Sequence, residues 1–77
     1  MNKYEQELLN GKWHTTNTES RYIDKVEFDL ITSESTLAFF ISLGGTEEVY
    51  RQHDKITKLI STNPGKTEQS VYEFKHS

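Results

Sequence analysis

The sequence predicts a mainly β domain, or an α+β one: a short N-terminal helix, then an antiparallel up-and-down meander of five to six strands forming a partial or small barrel. Three observations carry this expectation. First, Val26–Leu30 and Leu37–Leu43 match as a hairpin. With Ser33-Glu34 as its turn, Leu30 faces Leu37, Phe28 faces Phe39 and Val26 faces Ile41. Side chains alternate faces along a strand, so a slip of one residue would put these rows on opposite faces. Second, Gly44-Gly45 offers two adjacent positions that accept positive φ, a signal for a tight hairpin. Third, Asn63-Pro64-Gly65 reads as a turn, with proline presetting φ and glycine free to take a positive value.

Taken in order, Asn2 to Asn10 reads as the helix. Asn2 suits an N-cap with Glu5 three residues on, Tyr4 and Leu8 share a face, and Gly11 fits a left-handed helix end. A helix this short needs a sheet to dock on. Lys12–Asn17 is a strand with Trp13 pointing inward, and Thr18-Glu19-Ser20 is a polar loop. The two hairpin strands run over Tyr22–Thr32 and Ser35–Leu43. Counting outward from Gly44-Gly45 pairs Phe39 with Tyr50 and Phe40 with Val49.

Residues 46–61 support two readings. As a helix, Thr46 is an N-cap, Glu47 and Glu48 suit the first turn, and Val49, His53, Ile56 and Ile60 share a face. As strands, the segment breaks at His53-Asp54 and pairs Thr46–Gln52 with Lys55–Ser61, which suits Val49, Ile56, Thr57 and Ile60 better. The last strand is Ser70–Lys75, with Tyr72 and Phe74 on one face. The edges of the meander are then Lys12–Asn17 and Ser70–Lys75.

The chain has 77 residues and fits a single domain spanning 1–77. A domain this size buries only about 60–65% of its unfolded surface, so its core is small. Cysteine is absent, which removes disulfides and thiolate metal sites. Twelve acidic against nine basic residues give a net charge of −3, which disfavours nucleic acid as a partner. The first residues lack an apolar signal-peptide core, and no apolar run reaches the length of a membrane span, so the expected compartment is the cytoplasm. Little alanine with much Lys, Thr, Ser, Asn and Ile suggests a low-GC bacterium or its phage.

Leu9-Asn10-Gly11-Lys12-Trp13, Val26-Glu27-Phe28, Tyr50, Asp54-Lys55-Ile56-Thr57 and Tyr72-Glu73-Phe74 together resemble the small bacterial lipocalin-like (calycin) pattern. The resemblance implies a Gly-x-Trp start after a short helix and a meander after it. It also favours strands over residues 46–61. Lipocalin barrels use eight strands, enough to hold one small ligand, and this chain is short of that number. What the resemblance implies for function is a binder of a small apolar ligand, with Trp13, Phe28, Phe39, Tyr50, Tyr72 and Phe74 as core or ligand-facing residues.

No residue pattern points to catalysis. His14, His53 and His76 have no zinc-ligand spacing. Pro64-Gly65-Lys66-Thr67 lacks the first glycine of a phosphate loop, since Ile60 stands there. No nucleophile stands in a recognisable triad order. Asp24, Glu27 and Asp29 alternate with Lys25 in the manner of a solvated face, and a hard cation would need more oxygen ligands at set spacing. A cofactor, a metal and an enzymatic activity are therefore not expected. The register leaves Phe40 on the outer face opposite Glu27 and Val49, with Arg51 nearby. Phe40, Val49, Glu27 and Arg51 form the candidate interaction surface, unless the N-terminal helix covers Phe40. The expected function is a non-enzymatic binding module acting on another protein or on a second copy of itself.

Overall fold

The computed structural model describes residues 1–33 and 43–76. It is mainly β, as expected: among the described residues five antiparallel strands form one open sheet, accompanied by one short helix. The strands are β1 (Asn2–Leu9), β2 (Lys12–Ser20), β3 (Thr46–Gln52), β4 (Lys55–Thr62) and β5 (Glu68–Glu73), and the helix is α1 (Lys25–Ile31). The order across the sheet is β2-β1-β5-β4-β3. Two hairpins, β1–β2 and β3–β4, flank β5, so the arrangement is not the sequential meander expected. β5 is central rather than an edge, and among the described strands the outermost are β2 and β3.

The N-terminal segment is a strand and not a helix. Asn10 and Gly11 both have positive φ, 53° and 75°, the conformation of a two-residue primed turn. That turn folds β2 back on β1, with Leu9 opposite Lys12 and Leu8 opposite Trp13. The strand places Tyr4, Gln6 and Leu8 on one face and Lys3, Glu5 and Glu7 on the other. Pairing on both sides, to β2 and to β5, overrides the helical preference of Glu5-Gln6-Glu7.

The helix lies instead where a strand was expected, over Lys25–Ile31. Asp24 caps it, its side chain accepting from the Glu27 N–H at 2.8 Å. Lys25 and Asp29 pair at 2.9 Å one turn apart. At the C-terminal end the Thr32 N–H and hydroxyl both donate to the Phe28 carbonyl. Ile23 before the cap and Phe28 in the helix both rest on the core, as in a hydrophobic staple. The facing of Phe28 against Phe39 and of Leu30 against Leu37 is thus overturned on the Phe28 and Leu30 side. Leu37, Phe39, Phe40 and Ile41 lie outside the described residues.

Residues 46–62 are strands, as the second reading had it, and the helical alternative is excluded. The turn is His53-Asp54, closing on the Gln52–Lys55 pair. Asn63 orders the next turn, its side-chain oxygen accepting from the N–H groups of Thr67 and Glu68 at 2.8 and 3.1 Å. The main core cluster gathers on one face of the sheet, while Val71, also buried, lies on the other. Ile56, Leu59 and Phe74 are buried, with Met1, Ile23, Phe28, Ile31, Val49 and Tyr72 packed around them. Phe28 meets Phe74 edge-on at 5.0 Å, and Tyr72 stacks on Phe74 at 6.4 Å.

Candidate functional site

The β1–β2 hairpin leaves the core early. Every residue of β2, from Lys12 to Ser20, is exposed. At its tip Leu8, Leu9 and Trp13 are 36, 47 and 37% exposed, although Trp13 was expected in the core. Trp13 sits at the hairpin end of the sheet, on the face opposite Phe74, because the Asn10-Gly11 turn sets the register from Leu8 outward. The face it occupies carries an apolar row across the three central strands, where Tyr4 is opposite Val71 and Val71 opposite Ile60. A polar chain runs beside it: Gln69 donates to Gln6 at 2.5 Å and Gln6 donates to Thr15 at 3.2 Å.

A second concavity lies between α1 and the β3–β4 turn. This open groove of about 600 Å³ has Ile23, Phe28, Ile56 and Phe74 along its floor. Lys55, Lys75, Asp24 and Asp54 stand on its rim. The His76 ring packs edge-on against Phe28 at 5.4 Å, and its Nε2 lies 2.6 Å from the Ile56 carbonyl.

The residues singled out in the sequence divide between these places. Phe28, Tyr72 and Phe74 converge on the core with Val49 at its margin. Tyr50 lies on the outer face at 47% exposure, its hydroxyl donating to Glu48 at 2.8 Å and Lys58 standing over its ring. Hydrogen bonding to the Glu48 carboxylate raises the Tyr50 pKa. Glu27 is on α1, held by both guanidinium nitrogens of Arg21, which also contacts Glu19 at 3.1 Å. That bonding lowers the Glu27 pKa and raises that of Arg21. Arg51 is exposed on β3, two positions from Val49 on the same face. Of the expected surface, Glu27 lies on the helix, Val49 and Arg51 lie on β3, and Phe40 is outside the described residues.

Leu8, Leu9 and Glu47 are the residues the sequence reading missed. The Asn10-Gly11 dipeptide is the signal for the first two, since it makes their segment a hairpin strand. For Glu47 the signal is its place on an edge strand facing the core side. Neither of its carboxylate oxygens, both inaccessible to solvent, has a hydrogen-bond partner of good geometry among the described residues. Burial raises its pKa, and the cross-strand neighbour Ser61 offsets part of that rise.

Among the described residues no cluster of three or more histidines and carboxylates is arranged to hold a metal ion. No described helix is long and apolar enough to cross a membrane. Comparison with protein-family models, with curated proteins and with solved structures finds no match.

Proposed function

We propose that the chain is a non-enzymatic binding module that acts by protein–protein interaction, with the β1–β2 hairpin as the arm that takes hold of the partner. The supporting observation is the exposure of β2 along all nine of its residues, with Leu8, Leu9 and Trp13 exposed at its tip. A strand at a sheet edge presents N–H and C=O groups that a partner's extended segment can complete. Tryptophan is the side chain most often found at the energetic centre of such contacts. The partner is another protein or a second copy of the chain. The composition supports a small accessory protein of a low-GC bacterium or its phage.

A photo-cross-linker placed at Thr18 tests this reading in source cells. The expected product joins the chain to another polypeptide and is lost in Trp13→Ala. Absence of any cross-linked polypeptide overturns it.

A second reading, a lipocalin-like binder of a small apolar ligand, is favoured by the groove over Ile23, Phe28, Ile56 and Phe74. Native mass spectrometry of the purified protein separates the two. A retained small molecule supports the ligand reading, and a bound polypeptide supports the first.

A further inference from the structure

Asn10-Gly11 closes the β1–β2 hairpin, and Asn-Gly is also the dipeptide in which the backbone attacks an asparagine side chain most readily. The chain has four asparagines, and the structure sets this one apart. Asn63 precedes Pro64, which has no N–H to lose, and its side chain bonds to Thr67 and Glu68. Asn2 and Asn17 lie inside β1 and β2, where extended backbone turns the side chain away from the following nitrogen. Asn10 is exposed, and its amide has no hydrogen-bond partner among the described residues. A Cβ built on Gly11 would meet nothing within 4 Å, so its nitrogen is open to approach. The Leu9–Lys12 pair closes the ladder, and the Gly11 N–H lies beyond it.

The turn also holds half of the geometry that ring closure needs. Positive φ at both Asn10 and Gly11, 53° and 75°, marks a type I′ turn. The other two-residue hairpin turn, type II′, keeps the first φ at about +60° and moves its ψ from about +30° to about −120°. The second residue then takes a negative φ, which glycine accepts as readily as a positive one. The two forms differ by a flip of the Asn10–Gly11 peptide plane, and both join the same pair of strands. At a ψ of about −120° the Asn10 Cβ eclipses the Gly11 nitrogen across the Cα–C bond, as a five-membered ring requires. The reactive conformer is therefore reached without opening β1 from β2.

We propose that Asn10 is a self-modification site, where the chain deamidates through a succinimide and rebuilds the tip of its own hairpin. Base takes the Gly11 N–H proton, and the nitrogen attacks Asn10 Cγ. The N–Cγ bond forms, the Cγ–Nδ2 bond breaks, and Nδ2 leaves as ammonia. Water then opens the ring. Addition at Cγ breaks the new bond and leaves aspartate. Addition at the main-chain carbonyl breaks the original peptide bond and leaves isoaspartate, with the chain running through Cβ and Cγ. No oxidant or reductant takes part. Either product adds a negative charge beside the exposed Leu9 and Trp13. The isoaspartyl turn is also longer by one backbone carbon, so Leu9 no longer closes on Lys12 and Leu8 loses its register with Trp13. The reaction belongs to the turn and is independent of what the hairpin binds.

Incubation of the full chain, folded in buffer and unfolded in urea, followed by trypsin digestion and mass spectrometry, tests it. Cleavage after lysine and arginine puts the four asparagines on separate peptides, residues 1–3, 4–12, 13–21 and 59–66. In the folded chain the 4–12 peptide should gain the mass of an amide-to-acid exchange, faster at alkaline than at neutral pH, while the other three stay intact. An isoaspartyl methyltransferase should label part of the product. Because both primed turns are favoured hairpin forms, the folded chain should react within about tenfold of the unfolded rate. Asn10→Gly keeps the turn and should remove the signal. A folded chain that reacts more slowly than that overturns the proposal, since the turn would then protect Asn10. Equal reaction at Asn17 in the folded chain also overturns it, because the turn would then confer nothing. The isoaspartyl fraction, separated by its added charge, should lose the Leu8–Trp13 contact in NMR spectra, whereas Asn10→Gly retains it. An isoaspartyl fraction that retains the contact overturns the rebuilding of the tip.

Discussion

Phe74 and Trp13 mark the two extremes of this molecule at the scale of single residues. Phe74 is 7% exposed and touches Phe28 and Tyr72, so Phe74→Ala should cost about 3–5 kcal/mol in chemical denaturation. That is a large part of what a small domain has to lose. Trp13→Ala removes a side chain that lies at the exposed hairpin tip, outside the core cluster, and should change stability by about 1 kcal/mol or less. Its fluorescence should be red-shifted and readily quenched by iodide. A blue-shifted, protected tryptophan would contradict the open hairpin. Glu47 gives the pH-dependent case. Its carboxyl pKa is raised by burial, so the ionised form is disfavoured in the fold. The cost is absent below the ordinary carboxylic range, grows as pH rises from there through the raised pKa, and is complete above it. At concentrations where the chain is monomeric, Glu47→Gln should therefore melt above the wild type at pH 7. The gap should close on acidification, and thermal melts across pH read it directly.

At the scale of elements, the sequence was legible where local chemistry and tertiary pairing agreed. β3 and β4 were readable as strands because β-branched residues, the His53-Asp54 break and the later Asn63-Pro64-Gly65 turn all point one way. β1 was not, since Glu5, Gln6 and Glu7 favour helix and only pairing to β2 and β5 makes them extended. The decisive local signal there was the asparagine before Gly11, because two consecutive positive φ angles belong to a primed turn and not to a helix end. α1 was hidden for the converse reason. Val26, Phe28 and Leu30 alternate like a strand, yet the Asp24 cap, the Glu27 position and the Lys25–Asp29 pair specify a helix. The interaction residues were less legible still. Glu27 was placed beside Val49 and Arg51 on the strength of a hairpin that its own helical segment does not form. Two substitutions weigh these local terms. Gly11→Ala meets open space, so its cost is conformational, about 1–2 kcal/mol for a side chain held at positive φ. Asp24→Ala should cost about 1 kcal/mol through the lost cap. Equilibrium unfolding of each variant supplies the measurement.

The whole molecule depends on β5. Each hairpin is closed by a short turn and can form locally, but neither has enough apolar surface to stand alone. β5 joins them, pairing with β1 along one side and β4 along the other. It brings Val71, Tyr72 and the following Phe74 into contact with both halves. Because β1 and β5 are far apart in sequence, their pairing forms at a larger loop-closure cost than the hairpins themselves. A proline separates this central role from that of an edge. Ser70 lies in β5 opposite Glu5 on one side and Ser61 on the other. Its N–H has a ladder partner in either direction, so Ser70→Pro removes a bond the sheet needs and leaves a carbonyl unpaired. Thr18 is on the edge strand, and the reciprocal bonds between Met1 and Arg21 fix the alternation so that the Thr18 N–H points outward. A proline there removes nothing from the ladder, as edge prolines generally do not. Ser70→Pro should cost about 3 kcal/mol or more and separate the two hairpins into a chain without a cooperative transition. Thr18→Pro should retain a cooperative melt close to that of the wild type while abolishing strand addition at β2. Equal damage from the two substitutions would mean that β2 is held as tightly as β5, and the hairpin would then not be a free arm.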